Sequence, residues 1–221
     1  MFRTLFGGLL GGLALFLTSF VFWGTPLANI AYSTADPQAS VNLQAALSQA
    51  LTPSGTGVYL IPSTTTKEGT ILYGQGPIAQ VNFNTSGFPS LDSQALIGGL
   101  ILALVVGVLI ALALRLITSD AGTRVRAAVA FAMGATLWMH LGQPIFNHAP
   151  WGFYLYLAFS DFVALVLAGV IAAKLMSDSQ ADVRQESTTT VAEPYPAGTP
   201  TDTFASDSFG SPLPKDNDPL R

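Results

Sequence analysis

Asp161 is the residue best placed for chemistry, because it is the single charge in the apolar run Trp151–Ala173. At 1.5 Å per residue, ten residues of helix put it about 15 Å from Trp151, near mid-membrane if the run crosses a bilayer. A carboxylate at that depth costs roughly 2.5–3.5 kcal/mol on insertion scales and calls for a partner. His140, near the end of the preceding apolar run, is the partner the spacing offers. An Asp–His hydrogen bond would either fix the two helices or relay a proton, and the helix-fixing role is the plainer one. The remaining alternative is a lone carboxylate kept neutral by burial. Ser160, Gln143 and Asn147 are close enough in sequence to extend such a network.

Other chemistries find little support. The two histidines, His140 and His148, are eight apart with no carboxylate at ligand spacing, so no metal site is expected. Cysteine is absent, which removes disulfides, thiolate zinc sites and iron–sulfur clusters. Gly74-Gln75-Gly76-Pro77 lacks the Lys-Ser/Thr of a phosphate loop and reads as a turn. No G-x-S-x-G or H-E-x-x-H motif occurs. The expectation is a protein that is not an enzyme and carries no cofactor. Asn84-Thr85-Ser86 is a formal glycosylation sequon, relevant only in a eukaryotic secretory pathway.

The elements that must position Asp161 and His140 follow from composition. Half of the 221 residues are hydrophobic and only 10% are charged, against about 25% charged in soluble domains. Four apolar stretches stand out: Leu5–Trp23, Ala95–Leu114, Ala127 to about Leu141, and Trp151–Ala173. A helix needs roughly 20 apolar residues to cross a bilayer. The third stretch is short unless Gln143–Phe146 extend it. The first is longer than a signal-peptide core and lacks a good cleavage site, so it is expected to remain as a transmembrane helix or uncleaved signal anchor.

Orientation follows from the positive-inside rule. Arg3, Arg115, Arg124, Arg126 and Lys174 all fall on one side of a four-helix arrangement, which places both termini in the cytoplasm. Small residues recur every fourth position: Gly7 and Gly11, Gly8 and Gly12, then Gly99, Ala103, Gly107 and Ala111, and later Ala164, Ala168 and Ala172. Such stripes let helix backbones approach closely in lipid. They serve either internal packing or a seam for a second copy or another membrane subunit. Phe20, Phe22 and Trp23, with Phe146, Trp151, Phe153, Tyr154 and Tyr156, suggest an aromatic belt at the outer interface.

Between the first two apolar runs, residues 24–94 have the composition of ordinary polar protein. Asp36-Pro37 is a helix start, and Leu43, Ala46, Leu47, Ala50 and Leu51 share one helical face. Gly57–Ile61 reads as a strand, Ile71-Leu72-Tyr73 as a second, and Ala79, Val81 and Phe83 alternate with polar residues as a third. An insert of this size without disulfides has little core of its own and leans on the bundle or a partner.

The formal charge of −4 resides in the C-terminal region. From Lys174 onward there are eight acids and four bases, whereas the first 173 residues hold five of each. Nothing in this balance suits nucleic acid. With six prolines and few apolar residues, residues 177–221 are expected to be a disordered acidic tail.

These readings define an all-α membrane bundle of four transmembrane helices with a small α+β extracytoplasmic insert between helices 1 and 2. Its regions are 1–23, 24–94, 95–176 and 177–221. Several motifs together resemble an uncharacterised family of small bacterial membrane proteins. They are the glycine-rich first helix with Phe16, Trp23 and Gly24, then Gly57–Pro62, Gly76-Pro77, and Trp151-Gly152-Phe153 entering a helix with Asp161, Ala168 and Gly169. The resemblance spans residues 5–173 and implies a four-helix topology with an extracytoplasmic insert and no known activity, and the expected location is a bacterial inner membrane. An accessory or assembly protein that meets other membrane subunits is the leading functional expectation. A small proton-linked transporter or channel using Asp161 and His140 is the alternative.

Overall fold

A computed structural model describes residues 1–117 and 120–190, the last fourteen of these as backbone alone. By its internal contacts the chain divides into Met1–Val183 and Arg184–Arg221. The described part of the second unit is the helical backbone from Arg184 to Thr190, and everything before it belongs to the first.

Three helices are long and apolar enough to cross a membrane among the described residues. They are α1 (Phe2–Trp23), α4 (Ser93–Ile117) and the Trp151–Met176 portion of α7 (Trp151–Thr190). At 1.5 Å per residue, the 22 residues of α1 are about 33 Å long, which matches a hydrocarbon core. Local signals set the ends. Gly24 closes α1 by donating its N–H to Phe20 O at 2.7 Å. Asp92 opens α4, its Oδ1 accepting from the N–H groups of Gln94 and Ala95 at 2.9 and 3.1 Å. The helix of α7 continues past residue 177, where composition predicts the start of the acidic tail. The remainder of that tail, 191–221, lies outside the described residues.

The third apolar stretch is not one regular helix. It runs as α5 (Ala121–Thr136), a π turn over Leu137–Leu141, and α6 (Gly142–Asn147). Pro144 supplies a physical reason for the wide turn: it has no N–H to offer the His140 carbonyl, and its ring crowds that carbonyl. The extension through Gln143–Phe146 does form, as α6. His148 then ends the helical path in the left-handed conformation, with φ 52°.

Small residues set the packing of the long helices. Gly8 and Gly12 of α1 lie against α4, where a Cβ on Gly8 would stand 2.7 Å from Val108 Cα. A Cβ on Gly107 would run into the backbone of Gly8 and Gly12. The other glycine pair of α1 faces α7, with a Cβ on Gly11 reaching to 2.7 Å from Ala168 O and one on Gly7 to 3.3 Å from Ala172 O. Thus α1 runs antiparallel to both neighbours and touches each through a separate glycine face. Below this seam Ala111 and Leu114 of α4, Ala128 of α5, and Ala172, Ala173 and Met176 of α7 form the buried core.

The insert holds two helices and two strands. Asp36 caps α2 (Pro37–Leu51) by accepting from Gln38 and Ala39 N–H groups. Strands β1 (Gly57–Ile61) and β2 (Ala79–Phe83) pair antiparallel, with Tyr59 opposite Val81. The expected strand at Ile71-Leu72-Tyr73 is instead part of α3 (Lys67–Gln75). Thr66 caps that helix, its hydroxyl accepting from Gly69 N–H at 3.0 Å, and Glu68 sits in the positive first turn. Three apolar residues are too few to reveal a period, and the cap overrides their β-like composition. No residue of α2 is buried, and Leu43, Ala46 and Ala50 of its apolar face are exposed.

Candidate functional site

The π turn carries His140 and the first third of α7 carries Asp161, and the two side chains meet. His140 Nε2 and Asp161 Oδ2 are 2.8 Å apart, with the imidazole 12% and the carboxylate 38% exposed. The contact is an ion pair when the ring is protonated and a hydrogen bond otherwise. A cavity of about 220 Å³ lies beside the pair, lined also by Ser19 of α1, Thr136 and Met139, and Ala164 of α7. The pair therefore sits at a small, mainly apolar chamber where α1, the end of α5, the π turn and α7 converge, with Leu15, Ala135 and Leu165 also in its lining.

The rest of the expected network goes elsewhere. Ser160 is 1% exposed; its Oγ donates to Leu157 O at 3.0 Å and accepts the Trp23 indole N–H at 3.2 Å. Asn147 Nδ2 donates to Gln143 Oε1 at 2.8 Å, one turn back on its own helix. Thr136 returns its hydroxyl to Ala132 O at 2.8 Å. Among the described residues no group of three or more His, Asp or Glu side chains gathers as a metal site would require.

An aromatic cluster at the end of α1 is not evident as a unit from sequence. Trp23 packs edge-on against Tyr156 with centroids 5.2 Å apart, and against Phe153 at 6.1 Å and Tyr32 at 6.3 Å. Tyr156 donates its hydroxyl to Phe22 O at 2.9 Å. Some of the residues expected in a belt at the outer interface thus bind α1 to α7, while Phe146 and Trp151 are exposed. The belt and the helix junction draw on one residue class, because Trp and Tyr combine large apolar area with one polar tip.

The basic residues lie as follows. Arg115 Nη1 is 2.7 Å from Met1 Sδ, which sets the end of α4 beside the start of α1. Arg3, Arg115 and Lys174 are exposed at the same end of the three long helices. Arg126 donates to Thr123 Oγ1 at 3.2 Å, and Arg124 is buried rather than exposed. Asp120 caps α5, and hydrogen bonds from Thr123, side chain first and backbone second, hold its carboxyl below the usual range. In the small-residue stripes Ala103, Gly107, Ala111, Ala164 and Ala168 are buried, and Gly99 is half-buried near Phe16.

Fold and site together are compatible with a membrane protein built on three long apolar helices. No family model, no curated protein and no solved structure matches the chain. The family resemblance raised by the sequence motifs therefore gains no support from known proteins.

Proposed function

We propose that the chain is a four-span protein of the bacterial inner membrane, with α5, the π turn and α6 as the third crossing. Both termini are cytoplasmic and residues 24–94 lie outside. Shared placement of Arg3, Arg115 and Lys174 at one end supports that orientation. Its role is that of a non-enzymatic accessory or assembly subunit that engages a partner through the insert. The observation carrying this reading is the insert's lack of a core: Val41 and Leu43 of α2 are 59% exposed and Val58 of β1 is 66% exposed. Exposed apolar residues taken singly are ordinary, but within residues 24–94 only Ala31 and Gly69 are buried, so the insert has no interior to cover its apolar side chains.

Photo-crosslinking in intact membranes tests this reading. A crosslinker at Leu43 or Val58 should trap one discrete protein, and one at Gln44 on the polar side should not. Crosslinks to lipid alone from both apolar positions would overturn it.

A second reading has its own support in the His140–Asp161 contact and the chamber beside it. In that reading the pair passes a proton as part of coupled transport. Asp161→Asn and His140→Ala would each abolish pH-driven flux in proteoliposomes while leaving membrane insertion intact. Unchanged flux in both variants would remove it.

A further inference from the structure

A second cavity, of about 650 Å³, opens where the turn at residues 30–33, β2 and the α6–α7 connection meet. It lies apart from the His140–Asp161 chamber and shares no lining residue with it. Its volume falls within the usual range for small-molecule sites. One wall is aromatic: Tyr32 and Phe153 have ring centroids 5.6 Å apart, and Phe153 and Tyr154 stand edge to face at 5.2 Å. The lining also includes Ser33, Gln80 and Asn82, of which Gln80 and Asn82 are exposed on β2. With them are Asn147, His148 and apolar residues such as Leu60 and Ile78.

The lining contains no Asp, Glu, Lys or Arg. A cationic guest would have to shed water without meeting an opposite charge, and an anionic one would meet at most His148 in its protonated form, which is unfavourable. A purely hydrocarbon guest would strip water from the amides and leave them unpaired. What suits this lining is a guest with an apolar face and several uncharged hydroxyl or amide groups on its edge. We propose that this cavity is a binding site for a neutral sugar, with the C–H face of a pyranose laid on one ring of the Tyr32–Phe153 pair, whose planes are tilted 50° to each other. The sugar's hydroxyls hydrogen-bond Gln80 and Asn82. Amide side chains supply both donors and acceptors, as a hydroxyl rim requires. The sugar comes either from a free saccharide or from the headgroup of a glycolipid, since Trp23 and the start of α7 border the same region.

Isothermal titration of the full chain in nanodiscs with N,N′-diacetylchitobiose tests the free-saccharide source. Native mass spectrometry of nanodiscs doped with glucosyl-diacylglycerol tests the headgroup source. Retention of either probe, weakened at least about tenfold by Gln80→Ala with Asn82→Ala, is the expected result. Both substitutions fall on exposed positions, so the fold should tolerate them. The proposal is overturned if neither probe binds at millimolar concentration, or if the double substitution leaves binding unchanged. It is equally overturned if digalacturonic acid, a charged disaccharide, binds as well as the neutral one.

Discussion

Trp23 gives its indole N–H to Ser160 across 3.2 Å, joining the last turn of α1 to the residue beside Asp161. This single hydrogen bond ties the aromatic cluster to a buried hydroxyl of α7. Polar contacts between membrane helices average about 0.6 kcal/mol and reach about 1.7. Ser160→Ala and Trp23→Phe should each lower stability by an amount in that range in a denaturing-detergent titration. The double variant should cost no more than the larger single one if the bond is the shared cause.

Gly12 and Gly107 occupy a seam with no room for another carbon. Gly107→Val should separate α1 from α4 and cost at least about 1–3 kcal/mol. Gly98→Ala, one face away in α4, meets nothing within 4 Å and should be neutral or stabilising by up to about 1 kcal/mol. Equal destabilisation by the two changes would refute the seam.

A double-mutant cycle on Asp161→Asn and His140→Ala should return a coupling of about 0.5–3 kcal/mol, as contacting polar residues do. Additive effects would mean the side chains do not meet in the membrane. The cycle measures contact, whereas flux in proteoliposomes measures use, and the two readouts separate a helix clamp from a proton path.

Asp120 provides a pH test outside the long helices. Its folded pKa is depressed by hydrogen bonds from Thr123, so its contribution is present above the usual aspartate value of about 4 and lost as pH falls through the depressed one. Amide exchange at residues 121–124, corrected for intrinsic rates, should therefore accelerate as acid protonates the cap. Asp120→Asn, which keeps a capping oxygen, should lose that acid-dependent step.

Much of this arrangement was legible in the sequence because lipid demands long uninterrupted apolar runs, and α1, α4 and α7 supply them. His140 and Asp161 could be paired on paper because a short connection forces neighbouring helices side by side. The aromatic junction was not legible, because small-residue spacing does not say which helix each glycine meets. In the structure Gly7 lies on Ala172 and Gly11 on Ala168, and a further twelve residues along α1 and back along α7 bring Trp23 to Tyr156. The π turn was not legible, since Pro144 announces a disturbance but not its form. Nor was α3, where one threonine cap outweighs three residues of strand-like composition. Apolar spacing also says which side chains share a face of α2, but not whether anything covers it.

The wide turn at Leu137–Leu141 has a consequence for how this segment tolerates length changes. A π turn accommodates what is in effect one inserted residue within an α-helix. Deleting one residue there would let the turn relax to regular α geometry with the helix on either side keeping nearly the same rotational phase, whereas a deletion within α5 would rotate everything beyond it by about 100°. The same lost codon is therefore absorbed inside the turn but, one or two helical turns earlier in α5, swings the histidine away from its carboxylate.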